Sequence, residues 1–188
     1  MRSPPVMVDS GLAATPLILR HLRLTNGHGT FTAGTRQGGA LWAGDATDIT
    51  LEDCTVTQSE AGFGGGIWVG DDATLTLIRT YLVGNSGNPA SAIVPRGGNL
   101  SVGVNTAVAM EDSLLLNGTA SACGGVDLGA GAEIIGTGAA NILSNTATLT
   151  GGGVCADDGA TLSGVTIDGN GTPRNLAATG FLRHPVGN

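Results

Sequence analysis

Gly64-Gly65-Gly66-Ile67-Trp68-Val69-Gly70-Asp71 decides the fold, because the chain repeats it. The phrase is a glycine pair, an aliphatic residue, a variable residue, a small or aliphatic residue, then Gly or Asp. It runs earlier as Gly38-Gly39-Ala40-Leu41-Trp42-Ala43-Gly44-Asp45. It returns as Gly97-Gly98-Asn99-Leu100-Ser101-Val102-Gly103, as Gly124-Gly125-Val126-Asp127-Leu128-Gly129 and as Gly151-Gly152-Gly153-Val154-Cys155-Ala156-Asp157. Between the central aliphatics Leu41, Ile67, Leu100, Val126 and Val154 the steps are 26, 33, 26 and 28 residues. A period in the twenties marks stacked supersecondary units, each burying its apolar face against the next.

A second phrase falls between the copies: Leu82-Val83-Gly84-Asn85, Leu114-Leu115-Leu116-Asn117, Ile142-Leu143-Ser144-Asn145 and Ile167-Asp168-Gly169-Asn170, with Thr25-Asn26-Gly27 before them and Val56-Thr57-Gln58-Ser59 lacking the Asn. Asparagine accepts a left-handed backbone and bonds nearby backbone, so it suits a tight bend. Bends at one level of every period would stack the amides into a ladder, with Asn117 a rung. Alternating stretches such as Ile49-Thr50-Leu51 read as strands. The piece after each Asn bend is variable, long at 27–37 and 86–96 and short elsewhere. A period of about 25 residues suits a three-sided turn of short strands.

The expected fold is therefore all-β, a right-handed parallel β-helix of about six coils, forming one domain over 1–188. Residues 1–13 enter the stack, 14–171 form the coils and 172–188 cap them, with Phe181-Leu182 over the last open edge. A β-sandwich also has short strands and Gly-rich turns, but it has no reason to repeat two phrases at one period.

Composition agrees. Glycine is abundant, 33 of 188 residues, without the Gly-X-Y period of collagen. Hydrophobic residues at 41% against 12% charged exclude a disordered chain. No stretch approaches the roughly 20 apolar residues of a membrane helix, so membrane insertion is not expected. The net charge is −7 and every basic residue is arginine. That excludes a basic nucleic-acid footprint and an anionic membrane surface as partner. The start, Met1-Arg2-Ser3-Pro4-Pro5, lacks the apolar core of a signal peptide.

The two phrases together, Gly-Gly-Ala-Leu at 38–41 and Gly-Gly-Gly-Ile at 64–67 with aliphatic-x-x-Asn at 82–85, 142–145 and 167–170, resemble the polymorphic-membrane-protein type of β-helix repeat, over roughly residues 14–171. Leu or Ile stands where that family has Phe. The resemblance implies a secreted or surface-exposed bacterial passenger, often adhesive. Related β-helices include pectin-active lyases and hydrolases, so the fold alone leaves an enzyme open.

Trp42 and Trp68 hold equivalent positions. With Leu41, Ala43, Ile67 and Val69 pointing inward, both indoles point outward and stack on adjacent coils. Such a pair suits a sugar ring or a protein surface; the competing expectation is that the 27–37 loop folds over and buries them. Asp45, Asp71, Asp72, Asp127, Asp157 and Asp158 follow the glycine phrases. Paired carboxylates serve calcium binding or acid–base chemistry, yet their sparse spacing reads as solvated bends, and no metal or cofactor is expected. Gly27-His28-Gly29 is similar to a motif of polygalacturonase-type hydrolases, without that family's other elements or their order.

Cys54 falls on an inward position and reads as a small core hydrophobe. An extended count places Cys123 about 13 Å from Cys155 along neighbouring strands, so no intrachain disulfide is expected, and finding one would imply a register slip. Asn117-Gly118-Thr119 is a glycosylation sequon, discounted because its Asn is assigned to the ladder.

The functional expectation is a non-catalytic extracellular or surface module for adhesion or end-to-end self-assembly, contacting a glycan or protein. Its candidate contact residues are Trp42, Trp68, Asp45, Asp71, Asp72, His28 and Arg96, with no residue assigned a catalytic role. The alternative is a carbohydrate-active enzyme with a groove between loops 27–37 and 86–96, using His28, Asp45, Asp71, Asp72 and Arg96.

Overall fold

The computed structural model describes residues 6–9, 16–32, 34–87 and 94–171, and the backbone of 176–177. Much of the proposed entry (1–5 and 10–13), much of the proposed cap with Phe181-Leu182, and most of the 86–96 loop lie outside the described residues. Those described are all-β, with no helix.

Short strands pair into four parallel sheets. The first holds Val6–Val8, Leu41–Ala43, Ile67–Val69, Leu100–Val102, Val126–Leu128, Val154–Ala156 and Leu176–Ala177. The second holds Leu17–Arg20, Asp48–Glu52, Thr74–Ile78, Ala107–Glu111, Glu133–Thr137 and Thr161–Ser163; the third Arg23–Thr25, Thr55–Thr57, Tyr81–Val83, Leu114–Leu116, Asn141–Leu143 and Thr166–Asp168. The fourth holds Glu60–Ala61, Ser86–Gly87, Thr119–Ala122 and Thr146–Thr150. The chain visits the sheets in turn and returns to the first one strand further on, which is consistent with a parallel β-helix; a sandwich would set antiparallel neighbours together. One antiparallel element, the hairpin of Thr30–Thr32 with Thr35–Gln37, fills the long 27–37 segment.

The register is the one the glycine phrase implies: Leu41 pairs with Ile67, Ile67 with Leu100, Leu100 with Val126 and Val126 with Val154. The circuit is four-sided where three sides were expected. The short variable pieces are themselves strands, and Ala61, Ala120 and Ala147 are buried there. Inside, like stacks on like: Leu51, Leu77 and Met110 form one buried column, and Val56, Leu82, Leu115 and Ile142 another. Burying each large aliphatic contributes roughly 1.5–3 kcal/mol. Cys54 is buried as expected. The second glycine of each phrase is required by close approach. A Cβ on Gly65 would strike the carbonyl of Gly98, and one on Gly98 that of Gly124.

The asparagine ladder exists, but Asn26 and Asn117 are not rungs, both being exposed left-handed corner residues, and Asn99 is one. Asn85, Asn99 and Asn145 are fully buried. Asn85 Nδ2 donates to Asn99 Oδ1 at 2.9 Å, Asn99 Nδ2 to Asn145 Oδ1 at 2.9 Å, and Asn145 Nδ2 to Asn170 Oδ1 at 3.0 Å. Each amide also donates to a strand carbonyl, as Asn145 does to Leu115. Asn117 is not a rung. It is the exposed left-handed corner residue, φ 52°, at the level of Gln58, Gly84 and Ser144. Asn117-Gly118 reverses the order of Gly84-Asn85, so a glycine reaches the inner position. Asn99, from the glycine phrase of the same circuit, fills the space that Gly118 leaves. Gly118 N still donates to Asn145 Oδ1 at 2.7 Å. The ground for discounting the sequon is thereby removed, since Asn117 is exposed.

Candidate functional site

One outward column crosses the first sheet: Met7, Trp42, Trp68, Ser101, Asp127 and Cys155 in register. It faces out because its strand neighbours Leu41, Ile67, Leu100 and Val126 face in and are fully buried. The Trp42 and Trp68 rings stack as expected, centroids 5.4 Å apart and planes 11° from parallel. Both are half-buried. The hairpin lies beside them and leaves part of each ring exposed.

A second column runs alongside: Gln37, Phe63, Arg96 and Ala122, joined by parallel bridges. The sequence does not announce this juxtaposition; the backbone makes it. The residue after each member takes a left-handed conformation (Gly38 φ 58°, Gly64 60°, Gly97 62°, Cys123 57°), which folds the chain back so that residue i lies beside i+5. Trp42 Nε1 accordingly donates to Gln37 Oε1 at 3.1 Å. At Trp68 the equivalent neighbour is Phe63, which offers no acceptor. Four of the chain's six aromatic residues, Phe31, Trp42, Phe63 and Trp68, lie on the hairpin and these two columns. Phe31 is 68% and Met7 59% exposed, and Thr30 Oγ1 on the hairpin reaches Met7 Sδ.

The same fold-back overturns the cysteine expectation. Cys123 and Cys155 form a disulfide, with Cα atoms 5.1 Å apart. The register was sound, since Cys155 does lie level with Asp127. The extended count failed because Cys123-Gly124-Gly125 is an arch. At φ 57°, Cys123 turns its side chain over the position four residues ahead. Its Sγ is 3.3 Å from Asp127 Oδ1.

Asp127 is held well away from its ordinary ionisation. Its side chain is 14% exposed, with Arg96 Nε 3.5 Å from Oδ1. Desolvation pushes its pKa up to about 6; the Arg96 charge opposes this and Asp157 adds to it.

The bend carboxylates tie neighbouring circuits together, Asp45 and Asp71 through backbone N–H groups and Asp72 through a side-chain amide. Asp45 Oδ1 accepts from Asp71 N at 3.0 Å, Asp71 Oδ1 from Val104 N at 2.7 Å, and Asp72 Oδ1 from Asn105 Nδ2 at 3.3 Å. His28 accompanies the hairpin base, with Nδ1 2.9 Å from the Asn26 carbonyl and Nε2 3.5 Å from Glu60 Oε1. Arg96 and His28 thus lie on the entry side of the first-sheet strands, and Asp45, Asp71 and Asp72 on the exit side. The structure brings Trp42 and Trp68 together, but it does not gather the other candidates around them. Arg79 is fixed to Asp53 Oδ1 at 2.7 Å and Glu52 Oε1 at 2.9 Å. Hydrogen bonds from Arg20 and Arg79 hold the Glu52 carboxyl below its usual range.

Sequence reasoning missed two features. Arg96–Asp127 is one, hidden by the fold-back. The other is the outer face of the third sheet, where Tyr81, Val83, Leu114, Leu116 and Leu143 all point outward. The unbroken run Leu114-Leu115-Leu116 was its available signal. Among the described residues no cluster of His, Cys, Asp and Glu is arranged to hold a metal, and no helix is long and apolar enough to cross a membrane. Comparison with family models, curated proteins and solved structures found no match.

Proposed function

We propose that the chain is a non-catalytic surface or extracellular module, a right-handed parallel β-helix of the kind its repeat phrases resemble, and that it adheres to glycans through the aromatic corner. The observation that supports this reading is the stacked Trp42–Trp68 pair beside exposed Met7. Few aromatics are available to this chain, and three of its six, Trp42, Phe63 and Trp68, stand on these adjacent columns. Exposed apolar clusters of this kind mark contact surfaces. Where Gln37 satisfies the Trp42 indole N–H, Phe63 leaves that of Trp68 to solvent or to a sugar hydroxyl. Of the bend carboxylates an enzyme would need, Asp45 and Asp71 accept from backbone N–H groups and Asp72 from the Asn105 amide.

A glycan array combined with a polysaccharide-turnover screen tests the reading. Expected is binding without turnover, weakened about tenfold by Trp68→Ala, the loss of roughly one aromatic contact. Turnover that disappears in Asp71→Asn overturns it in favour of a carbohydrate-active enzyme. Binding that survives Trp42→Ala/Trp68→Ala moves the contact off this corner.

A further inference from the structure

The Cys123–Cys155 pair does more than close a loop. Both residues are buried, Cys123 completely and Cys155 with 7% of its surface exposed. Their sulfurs differ in what stands beside them. Asp127 Oδ1 lies 3.3 Å from Cys123 Sγ, whereas Cys155 Sγ faces the Thr150 carbonyl at 3.9 Å. A disulfide has no proton to donate, so neither contact is used while the bond is closed. Opened, each thiol has an acceptor already in place, and both redox states are locally satisfied. A pure staple requires no carboxyl beside Cys123 Sγ, and a largely buried carboxyl is costly to keep there.

We propose that Cys123, Cys155, Asp127 and Arg96 form a thiol–disulfide exchange site whose substrates are small-molecule thiols, with Cys155 the attacked sulfur and Asp127 the proton donor to Cys123. A thiolate RS⁻ attacks Cys155 Sγ, the S–S bond breaks, and its electron pair goes to Cys123 Sγ. Asp127, in its neutral form, passes its proton to that sulfur as the charge develops. A second RS⁻ attacks the mixed disulfide on Cys155 and releases RSSR, and solvent returns protons to Cys155 and Asp127. The sum is the protein disulfide plus 2 RSH giving two protein thiols plus RSSR.

The leaving sulfur belongs to the completely buried residue, where a bare thiolate is poorly tolerated, so a proton at that atom matters most. Ionised Asp127 acts in the opposite sense, placing a negative charge beside the nascent thiolate. The charged groups facing this carboxyl are Arg96 from the preceding circuit and Asp157 from the following one. The site is independent of the glycan reading.

The test is reduction of the full chain by glutathione between pH 5 and 8, read by alkylating and weighing the freed thiols, with rates expressed per glutathione thiolate. Expected is a per-thiolate rate constant that falls at least about tenfold with rising pH, with its midpoint near the Asp127 value of about 6. Asp127→Asn flattens the profile. Asp157→Asn, at an exposed position, removes a charge that raises the Asp127 pKa and moves the midpoint to lower pH. With Cys123→Ser, oxidised glutathione caps Cys155. A disulfide inert to glutathione, a flat wild-type profile, or a profile that Asp127→Asn and Asp157→Asn both leave unchanged overturns the proposal.

Discussion

Two corners of the same circuit follow opposite rules. At the inner corner between the third and fourth sheets, Asn85, Asn99, Asn145 and Asn170 repeat one chemistry along the stack. On the outward column of the first sheet the residue changes at every step, from Met7 through Trp42, Trp68, Ser101 and Asp127 to Cys155. The source of the hydrogen-bond partners explains the difference. An amide inside the stack must have its N–H groups and carbonyl satisfied, and another amide one strand away does this in the same geometry every time. On the outward column each polar residue finds its own partner, Trp42 in Gln37, Ser101 in the Gly64 N–H and Asp127 in Arg96, so no single residue type is imposed. The Asn99 substitution shows how strict the inner rule is. When Gly118 vacated the rung, the amide was supplied from a different segment of the same circuit.

The contrast is broken most directly at Asn145. Asn145→Ala removes both the donor to Asn170 and Leu115 and the acceptor for Asn99 and Gly118. We expect it to destabilise by about 3–5 kcal/mol in chemical denaturation, several unmet buried groups at once. A loss below about 1 kcal/mol would mean that the inner corner is no more constrained than the outer. A sharper version exchanges positions. Gly118→Asn alone must clash, because its Cβ would meet the Gly124 carbonyl as well as the Asn99 amide, and Asn99→Gly with Gly118→Asn removes only the second obstacle, so a double-mutant cycle is expected to recover only a minor part of the loss.

Next in size is the cross-link. Cys123→Ser/Cys155→Ser opens a loop of sequence separation 32 and is expected to cost about 2–4 kcal/mol, read from the shift in the unfolding midpoint. Asp127 then gives a pH signature. Its folded pKa is raised from 3.8 to about 6, so the folded chain binds the proton more tightly than the unfolded one. Stability is therefore full below about pH 4 from this group and declines as pH rises through about 6, by about 3 kcal/mol. Asp127→Asn should remove that slope. Trp68→Ala is expected to lower stability by only about 1 kcal/mol, since it removes a half-exposed stacked ring. Smallest is Asp71→Asn, where an amide oxygen still accepts from Val104 N; less than about 0.5 kcal/mol is expected.

Most of the stacking was legible because the phrase carries its own register. Leu41, Ile67, Leu100, Val126 and Val154 are the same position seen five times, and the outward Trp42–Trp68 pair follows from strand alternation. The rest turned on backbone handedness, which spacing does not encode. Cys123 has no sequence mark that distinguishes a left-handed arch from an extended entry, although Gly38, Gly64, Gly97 and Gly151 occupy the same place. A glycine column interrupted by a cysteine was the readable clue. Asn117-Gly118 against Gly84-Asn85 was another: the two orders look alike to a motif and differ by one residue in where the amide points. The fourth sheet is not legible in the sequence, because Glu60-Ala61 and Ser86-Gly87 are too short to show alternation.

The fold-back after Gln37, Phe63, Arg96 and Ala122 has an evolutionary consequence. It makes each circuit display a side-by-side pair of outer residues, while interior columns and glycines keep any circuit compatible with any other. Loss or duplication of one circuit would therefore reorder these pairs without rewriting the core. Removing 100–125, one 26-residue period, would bring Asp127 next to Trp68 in a single genetic event. The heritable unit of this surface is then the circuit rather than the residue, and new sites arise here by splicing neighbours as readily as by point substitution.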